Sequence, residues 1–235
     1  MEPSILSVAE NVGRVQQRVH DACRRAGRTD KDVRLIAVSK TKPAEAIRQA
    51  YAAGLREFGE NRVQEAAAKR KELEDLDAAW HLIGHLQSNK ARQAVQLFDC
   101  IHSVDSLPLA ERIDRAAAEL GRRLPVLIEV HLGEEASKFG VEETDLLQLA
   151  EKIAALPSLE LRGLMTLPPF FDNSEDVRPF FRRLRELAER IEARNLPGVS
   201  MRELSMGMSH DFEIAIEEGA TIIRVGTAIF GERQW

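Results

Sequence analysis

The chain has 235 residues, 44% of them hydrophobic and 30% charged, and a formal net charge of -5. That length suits one large α/β domain or two small ones, and it can bury a sizeable core. The acidic balance argues against bulk nucleic-acid or anionic-membrane binding, and charges interrupt every apolar run before it could span a bilayer.

Two cysteines, Cys23 and Cys100, form no CxxC pair. They fit free thiols in a reducing compartment. Glu2, Glu10 and Arg14 break up the N-terminal apolar residues, unlike the uninterrupted core of a signal peptide. The expectation is a soluble cytoplasmic protein.

Residues 5–26 carry Ile5, Val8, Val12, Val15, Val19, Ala22 and Ala26 at spacings of three and four. That stripe predicts an amphipathic helix, with Ser7 and Glu10 at capping-box spacing and Gly27 as a stop. The helix precedes the first strand and is expected to pack on the outside or the bottom of the fold. Strand-like runs then recur at 33–39, 55–58, 80–83, 100–104, 124–132, 159–165, 201–205 and 221–225. Helical patterns fill the gaps at 43–53, 61–74, 88–97, 106–120, 142–155, 175–194 and 209–218. Strands alternating with helices are the signature of repeated βα units, and eight of them predict a (β/α)8 TIM barrel. With no linker or composition shift, residues 1–235 read as one domain, the barrel in 33–231 and the extra N-terminal helix in 1–28.

In such barrels the functional groups sit in loops after the strands' C-terminal ends. The first strand, Leu35 to Val38, ends near Lys40, and Pro43 opens the next helix. A lysine at the mouth of a buried strand is partly desolvated, which favours a neutral amine able to attack an aldehyde. Taken alone, that segment fits a solvent-facing lysine better than a nucleophile.

Two further loops share a logic. In SMGMSHD, residues 205–211, Gly207 frees the backbone and Ser209 can cap the next helix or stand in its first turn. In RVGTAIFG, residues 224–231, Gly226 allows close approach to a ligand, and Thr227 adds a hydroxyl and an amide at a short helix start. Each loop alone is explained by plain helix capping. Together, after strands seven and eight, they point to a phosphate site. Arg224 ends strand eight and, if turned inward, puts a permanent cation near the barrel mouth; an interstrand ion pair is the alternative. Lys138 could add charge from the loop after strand five, although a solvated lysine explains it as well.

Other patterns carry less. His81 and His85 have helical zinc spacing, but WHLIGHL lacks a glutamate between them and reads as strand, so no metal site is expected. No P-loop or GxGxxG follows the first strand. The arginine-rich run 178–194 carries an apolar stripe of Phe180, Leu184, Leu187 and Ile191. Arg182 with Glu186 and Arg185 with Glu189 have i,i+4 spacing, so it reads as a solvated barrel helix.

AVSKTKP, FGENRVQE, HLIGHLQSNK, SKFG, RGLMT, LSMGMSHDFEIAI and IRVGTAIFG together resemble the pyridoxal phosphate homeostasis protein family. This family is similar to the N-terminal barrel of alanine racemase without its second domain, and the resemblance runs from about Val33 to Gly231. It implies that Lys40 holds pyridoxal 5'-phosphate (PLP) as a Schiff base. Ser209, Gly226 and Thr227 would hold the phosphate, Arg224 would face the pyridine nitrogen, and Asn61 and Met165 would line the pocket. Three positions depart from the family pattern: His85 where proline is expected, His131 where asparagine is usual, and Phe139 where a small residue is common. They put the shape of the pocket rim in question.

An arginine beside the pyridine nitrogen disfavours its protonation, making the ring a poorer electron sink. The racemase also takes a tyrosine base from its second domain, whereas the lone tyrosine here, Tyr51, falls on the first βα helix. The resemblance therefore implies a non-catalytic PLP carrier for intracellular PLP homeostasis, with PLP-dependent apoenzymes as candidate recipients; a monomer is expected because no exposed apolar stripe stands out beyond the barrel helices. A weak PLP-dependent amino-acid racemase is the alternative. A Schiff-base aldolase on the same barrel and a PLP-sensing regulatory protein are further competitors.

Overall fold

The computed structural model describes residues 7–133 and 139–232. Ile5 and Lys138 lie outside the described residues. Eight parallel strands pair in chain order and close into a barrel. They are β1 Arg34–Val38, β2 Glu57–Glu60, β3 Ala79–Leu82, β4 Cys100–Val104, β5 Leu124–Glu129, β6 Leu159–Met165, β7 Glu203–Ser205 and β8 Ile222–Val225. Closure falls between β8 and β1, where Arg224 stands opposite Ile36. The predicted (β/α)8 barrel is the observed fold.

A helix follows each strand. These are α2 Ala44–Ala52, α3 Val63–Glu72, α4 Ala91–Leu97, α5 Leu107–Glu119, α6 Glu143–Ala154, α7 Arg178–Glu192, α8 Phe212–Glu217 and the short α9 Thr227–Phe230. Ahead of the barrel comes α1 Val8–Arg25, capped by the reciprocal Ser7–Glu10 bonds that the sequence spacing predicts. Its buried stripe is Val12, Val15, Val19, Ala22 and Cys23, with Ala26 only half-buried. The helix packs on α8, α9 and α2, outside the barrel. Arg18 grips Glu213 with two bonds of 2.6 and 2.9 Å, Arg28 reaches the Ile216 carbonyl, and Asn11 reaches the Ile229 carbonyl.

Most of the apolar core lies between strands and helices. A separate small cluster of Ile36, Cys100, Leu127, Met165 and Ile222 fills part of the barrel interior. Parallel strands covered on both faces explain why the sequence shows unbroken apolar runs.

Several boundaries differ from expectation for local reasons. β2 begins at Glu57 and runs to Glu60, later than the apolar run predicts. β5 stops at Glu129 because the chain beyond it pairs with Val141 instead, through His131 N to Val141 O and Val141 N to Glu129 O. The 88–97 pattern divides into a 3-10 turn, Ser88–Lys90, and α4. On α7 it is Phe181, not Phe180, that is fully buried, and Phe180 packs on Phe171 with ring centroids 5.5 Å apart. The arginines of α7 also choose other partners than the i,i+4 glutamates. Arg182 and Arg185 both reach Glu218, and Arg183 reaches Glu143. Among the described residues no helix is long and apolar enough to cross a membrane.

Candidate functional site

A cavity of about 310 Å³ opens at the C-terminal ends of the strands. That volume is at the lower end for small-molecule pockets. Lys40, Asn61, Ser209, Arg224, Gly226 and Thr227 all line it, so six of the seven site residues predicted from sequence meet in one place. Val38, Thr41, Lys42, Ile83, Leu167, Met208, His210 and Gly231 complete the lining. Met165 does not join them. It is fully buried in the barrel-interior cluster, because the last residue of an inward-facing strand position packs against Ile36, Leu127 and Ile222; Leu167, two residues on, reaches the cavity.

Lys40 is half-buried, and the backbone on both sides of it is tied to a charged cluster. Lys69 of α3 is buried, and its Nζ donates to the Ser39 carbonyl, Glu60 Oε1 and Glu65 Oε1, each at 2.7 Å. Ser39 Oγ donates to Glu60 Oε1 at 2.6 Å. Thr41, in the left-handed region at φ 65°, donates its amide to Glu65. Burial pushes the Glu60 carboxyl up from its ordinary value, against the pull of Lys69 and Ser39. For Glu65 burial works the same way, but Lys69 and the Thr41 amide prevail and hold it low. The positive φ at Thr41 is a strained backbone for a β-branched residue, and the Glu65 bond helps hold it. Asn61 follows Glu60, and Gly84 lets the end of β3 pass against it. A Cβ at Gly84 would stand 2.5 Å from the Asn61 carbonyl oxygen.

The opposite side of the cavity is built from backbone and hydroxyls. Ser209 Oγ accepts from the amides of Gly226 and Ala228, both at 3.2 Å. Ser209 is therefore neither N-cap nor first-turn residue of α8, which starts three residues later. Asp211 stands at that N-cap position and turns back to accept from the Met208 amide at 2.6 Å. Gly207, at φ 91°, supplies the bend, and a Cβ there would come within 2.5 Å of the Ala215 Cβ. The two glycine loops are thus stitched together by one hydroxyl, whose own proton is left to donate elsewhere.

Arg224 points inward and is buried. Its Nη1 donates to Ser205 Oγ at 2.7 Å and its Nη2 to the Thr166 carbonyl at 2.8 Å, so it holds hydrogen bonds and not the interstrand ion pair. Burial lowers its pKa to about 10, with Asp211 and Glu129 pulling the other way, and it remains a cation at neutral pH. Glu129, buried at the end of β5, is pushed up to about 7 by burial and by Asp105.

Two of the three rim departures meet each other. His85 stacks on Phe139 with ring centroids 3.9 Å apart, and His85 also lies 3.4 Å from Asp105. His131 pairs with Glu142 at 2.9 Å. His81 does not approach His85; it turns into the barrel, where its Nδ1 lies 3.0 Å from His102 Nε2. Sequence reasoning missed Lys69, Glu65 and His102. Lys69 and Glu65 had no signal beyond helical polarity. His102 had one, a polar ring inside the apolar strand CIHSV.

A family profile described as "Alanine racemase, N-terminal domain" matches residues 11–234. The chain is 47% identical over 230 residues to the pyridoxal phosphate homeostasis protein of Aquifex aeolicus, covering 98% of this chain and all of that one. Against the protein of the same name from Pseudomonas aeruginosa it is 46% identical, covering 97% of both. The solved structure of PipY from Synechococcus elongatus with PLP bound is similar at a TM-score of 0.85 and 46% identity, covering 96% of this chain and 100% of that one. Alanine racemase of Clostridium difficile shares the fold at a TM-score of 0.75 but only 13% identity, and the chain spans 58% of it. The chain belongs to the alanine racemase N-terminal domain family and, within it, to the pyridoxal phosphate homeostasis proteins.

Proposed function

We propose that this chain, as one domain over residues 1–235, binds PLP for intracellular PLP homeostasis, buffering or delivering the cofactor without turning over a substrate. The observation that supports the reading most is the meeting of Lys40 with Ser209, Gly226, Thr227 and Arg224 around one cavity. Those groups fit a phosphorylated pyridine aldehyde. The Lys40 amine would take the aldehyde, the Ser209 and Thr227 hydroxyls would take the phosphate, and the buried Arg224 guanidinium would take the ring.

In this reading Lys40 would hold the cofactor covalently, its amine joined to the aldehyde carbon as a Schiff base with loss of water. PLP supplies a conjugated ring able to accept electrons. Arg224 would present its guanidinium to the pyridine nitrogen and disfavour protonation there, which would restrain that chemistry. Ser209 directs its remaining hydroxyl proton toward the phosphate, and Asn61 and Leu167 narrow the entrance. Tyr51 stands on α2 under the Arg56 guanidinium, 3.8 Å from it, and is not among the lining residues. That placement supports a carrier over a racemase. The recipients are PLP-dependent apoenzymes, the chain acts as a monomer, and its two buried free cysteines suit the cytoplasm.

Borohydride reduction of the loaded protein followed by peptide mass analysis tests this. The expected result is one phosphopyridoxyl adduct, on Lys40, and a colourless Lys40→Ala protein. Unchanged cofactor stoichiometry in Lys40→Ala would refute the Lys40 assignment. Exchange of the alanine Cα proton with solvent deuterium at turnover rates would replace the carrier with the racemase.

A further inference from the structure

A row of polar groups runs through the barrel interior and ends on Arg224. Glu57 Oε2 lies 3.1 Å from His81 Nε2, His81 Nδ1 lies 3.0 Å from His102 Nε2, and His102 Nδ1 lies 3.0 Å from Ser205 Oγ. Ser205 Oγ then accepts from Arg224 Nη1 at 2.7 Å. His81, His102 and Ser205 are buried. Glu57 is the first residue of β2, so the row spans from the strands' N-terminal ends to the cavity.

We propose that His102, backed by His81, is a positioning residue for Arg224. Its Nδ1 takes the Ser205 hydroxyl proton, so that Ser205 Oγ is presented to the guanidinium as an acceptor. The assignment to Arg224 stands on the row alone; its consequence for PLP rests on the proposed function.

The two ends decide the direction. Arginine only donates, and an ionised carboxylate only accepts. Burial opposes the charge on Glu57, yet His81 and Arg34 hold its carboxyl below its ordinary value. Neutral rings then permit one set of protons. Ser205 Oγ–H donates to His102 Nδ1, His102 Nε2–H donates to His81 Nδ1, and His81 Nε2–H faces Glu57. That last contact is close but off the hydrogen-bond line, leaving both atoms without a well-aligned partner, so it acts through the N–H dipole beside the carboxylate. The reverse order would set the bare His81 Nε2 lone pair against the carboxylate, or would need a cationic His81. The groups facing the two rings are Arg34 of β1, Glu57 of β2, Cys100 of β4, Ser205 of β7 and Arg224 of β8. Desolvation, with His81, Arg224 and Arg34 around it, keeps His102 neutral.

Cys100 brings its thiol within 4.8 Å of His81 and His102 ring nitrogens, a grouping that could take a soft cation. A metal would have to break the His81–His102 bond, and burial pushes the Cys100 thiol up, away from the thiolate a metal binds. The row therefore holds hydrogen bonds.

Histidine-labelled cofactor-free protein, studied by long-range proton–nitrogen NMR, gives the direct test. Both His81 and His102 are expected as Nε2–H tautomers. The Arg224 side-chain nitrogens are expected to give separate signals that average together in Ser205→Ala and in His102→Leu. Should His102→Leu fail to fold, Ser205→Ala and the unmodified protein carry the measurement. With PLP added, both variants are expected to lose about tenfold in cofactor retention, the scale of one buried hydrogen bond, while borohydride still marks Lys40. An Nδ1–H tautomer at His102, a cationic ring, a stoichiometric metal ion, or unchanged Arg224 signals in Ser205→Ala would each overturn the assignment. A protein with the expected tautomers and Arg224 signals that takes up no PLP would refute the cofactor reading and leave the positioning role standing.

Discussion

On the β1 side of the cavity Lys40 follows a strand end tethered by buried charges, whereas on the β7–β8 side Ser209 meets only neutral backbone amides. Lys69, Glu60 and Glu65 hold the backbone on either side of Lys40 with a cluster in which each partner needs the others. Ser209 holds two glycine loops with one hydroxyl and two amide bonds. Charges out of water are strong when complete and costly when one is removed; neutral bonds are weaker and fail more gently. The amine proposed to hold the cofactor thus follows a charged, high-stakes support, and the proposed anion site rests on neutral bonds.

The sharpest break in that contrast is Lys69→Met, which leaves Glu60 buried without its cation. Chemical denaturation should show a loss of about 3–5 kcal/mol, with Lys40 less readily modified by PLP. A loss within the range of a surface substitution would mean that the cluster does not support Lys40.

Glu129 is the next largest case, a buried carboxyl facing Asp105 across the mouth with a pKa of about 7. Its native-state value is raised, so the folded protein binds this proton more tightly than the unfolded chain does. Its stabilising contribution is complete below the ordinary carboxyl range, near pH 4, and is lost as pH rises through about 7. Glu129→Gln should remove that decline and stabilise the protein by up to about 3 kcal/mol at alkaline pH, read from unfolding curves at several pH values. A pH profile identical to that of the unmodified chain would show that Glu129 is ordinarily ionised.

Ser209→Ala should have the smallest effect on the fold, about 1–2 kcal/mol from the two unsupported amides. Its effect on PLP should exceed its effect on stability, because the hydroxyl proton is lost as well. Equal stability and equal PLP retention would remove Ser209 from the anion site.

The legible residues share one property: each lies at or just beyond the C-terminal end of a strand. Lys40, Asn61, Arg224, Gly226 and Thr227 could be placed because a barrel puts strand ends on one rim. Met165 faces the barrel interior but lies too deep to line the cavity, and Leu167, two residues further along, lines it instead. The helix-cap reading of Ser209 did not hold, because a cap is a local bond and the amides it accepts from lie 17 and 19 residues away. Lys69 carried no signal at all. A polar residue on a helix is ordinarily solvated, and only the docking of α3 against the end of β1 buries it.

The amino-acid sequence by itself determined that this chain would be a closed parallel barrel with an added N-terminal helix. Apolar runs alternating with 3.6-residue periodicity can bury both faces of every strand in few other ways. It also determined which rim would carry Lys40, Arg224 and the glycine loops. Only the tertiary structure decided which polar groups meet inside and beneath that rim. His102 finds Ser205 across 103 residues of chain, and Lys69 finds the Ser39 carbonyl across 30. Periodicity tells which face a side chain takes, but barrel closure chooses its partner on the far wall.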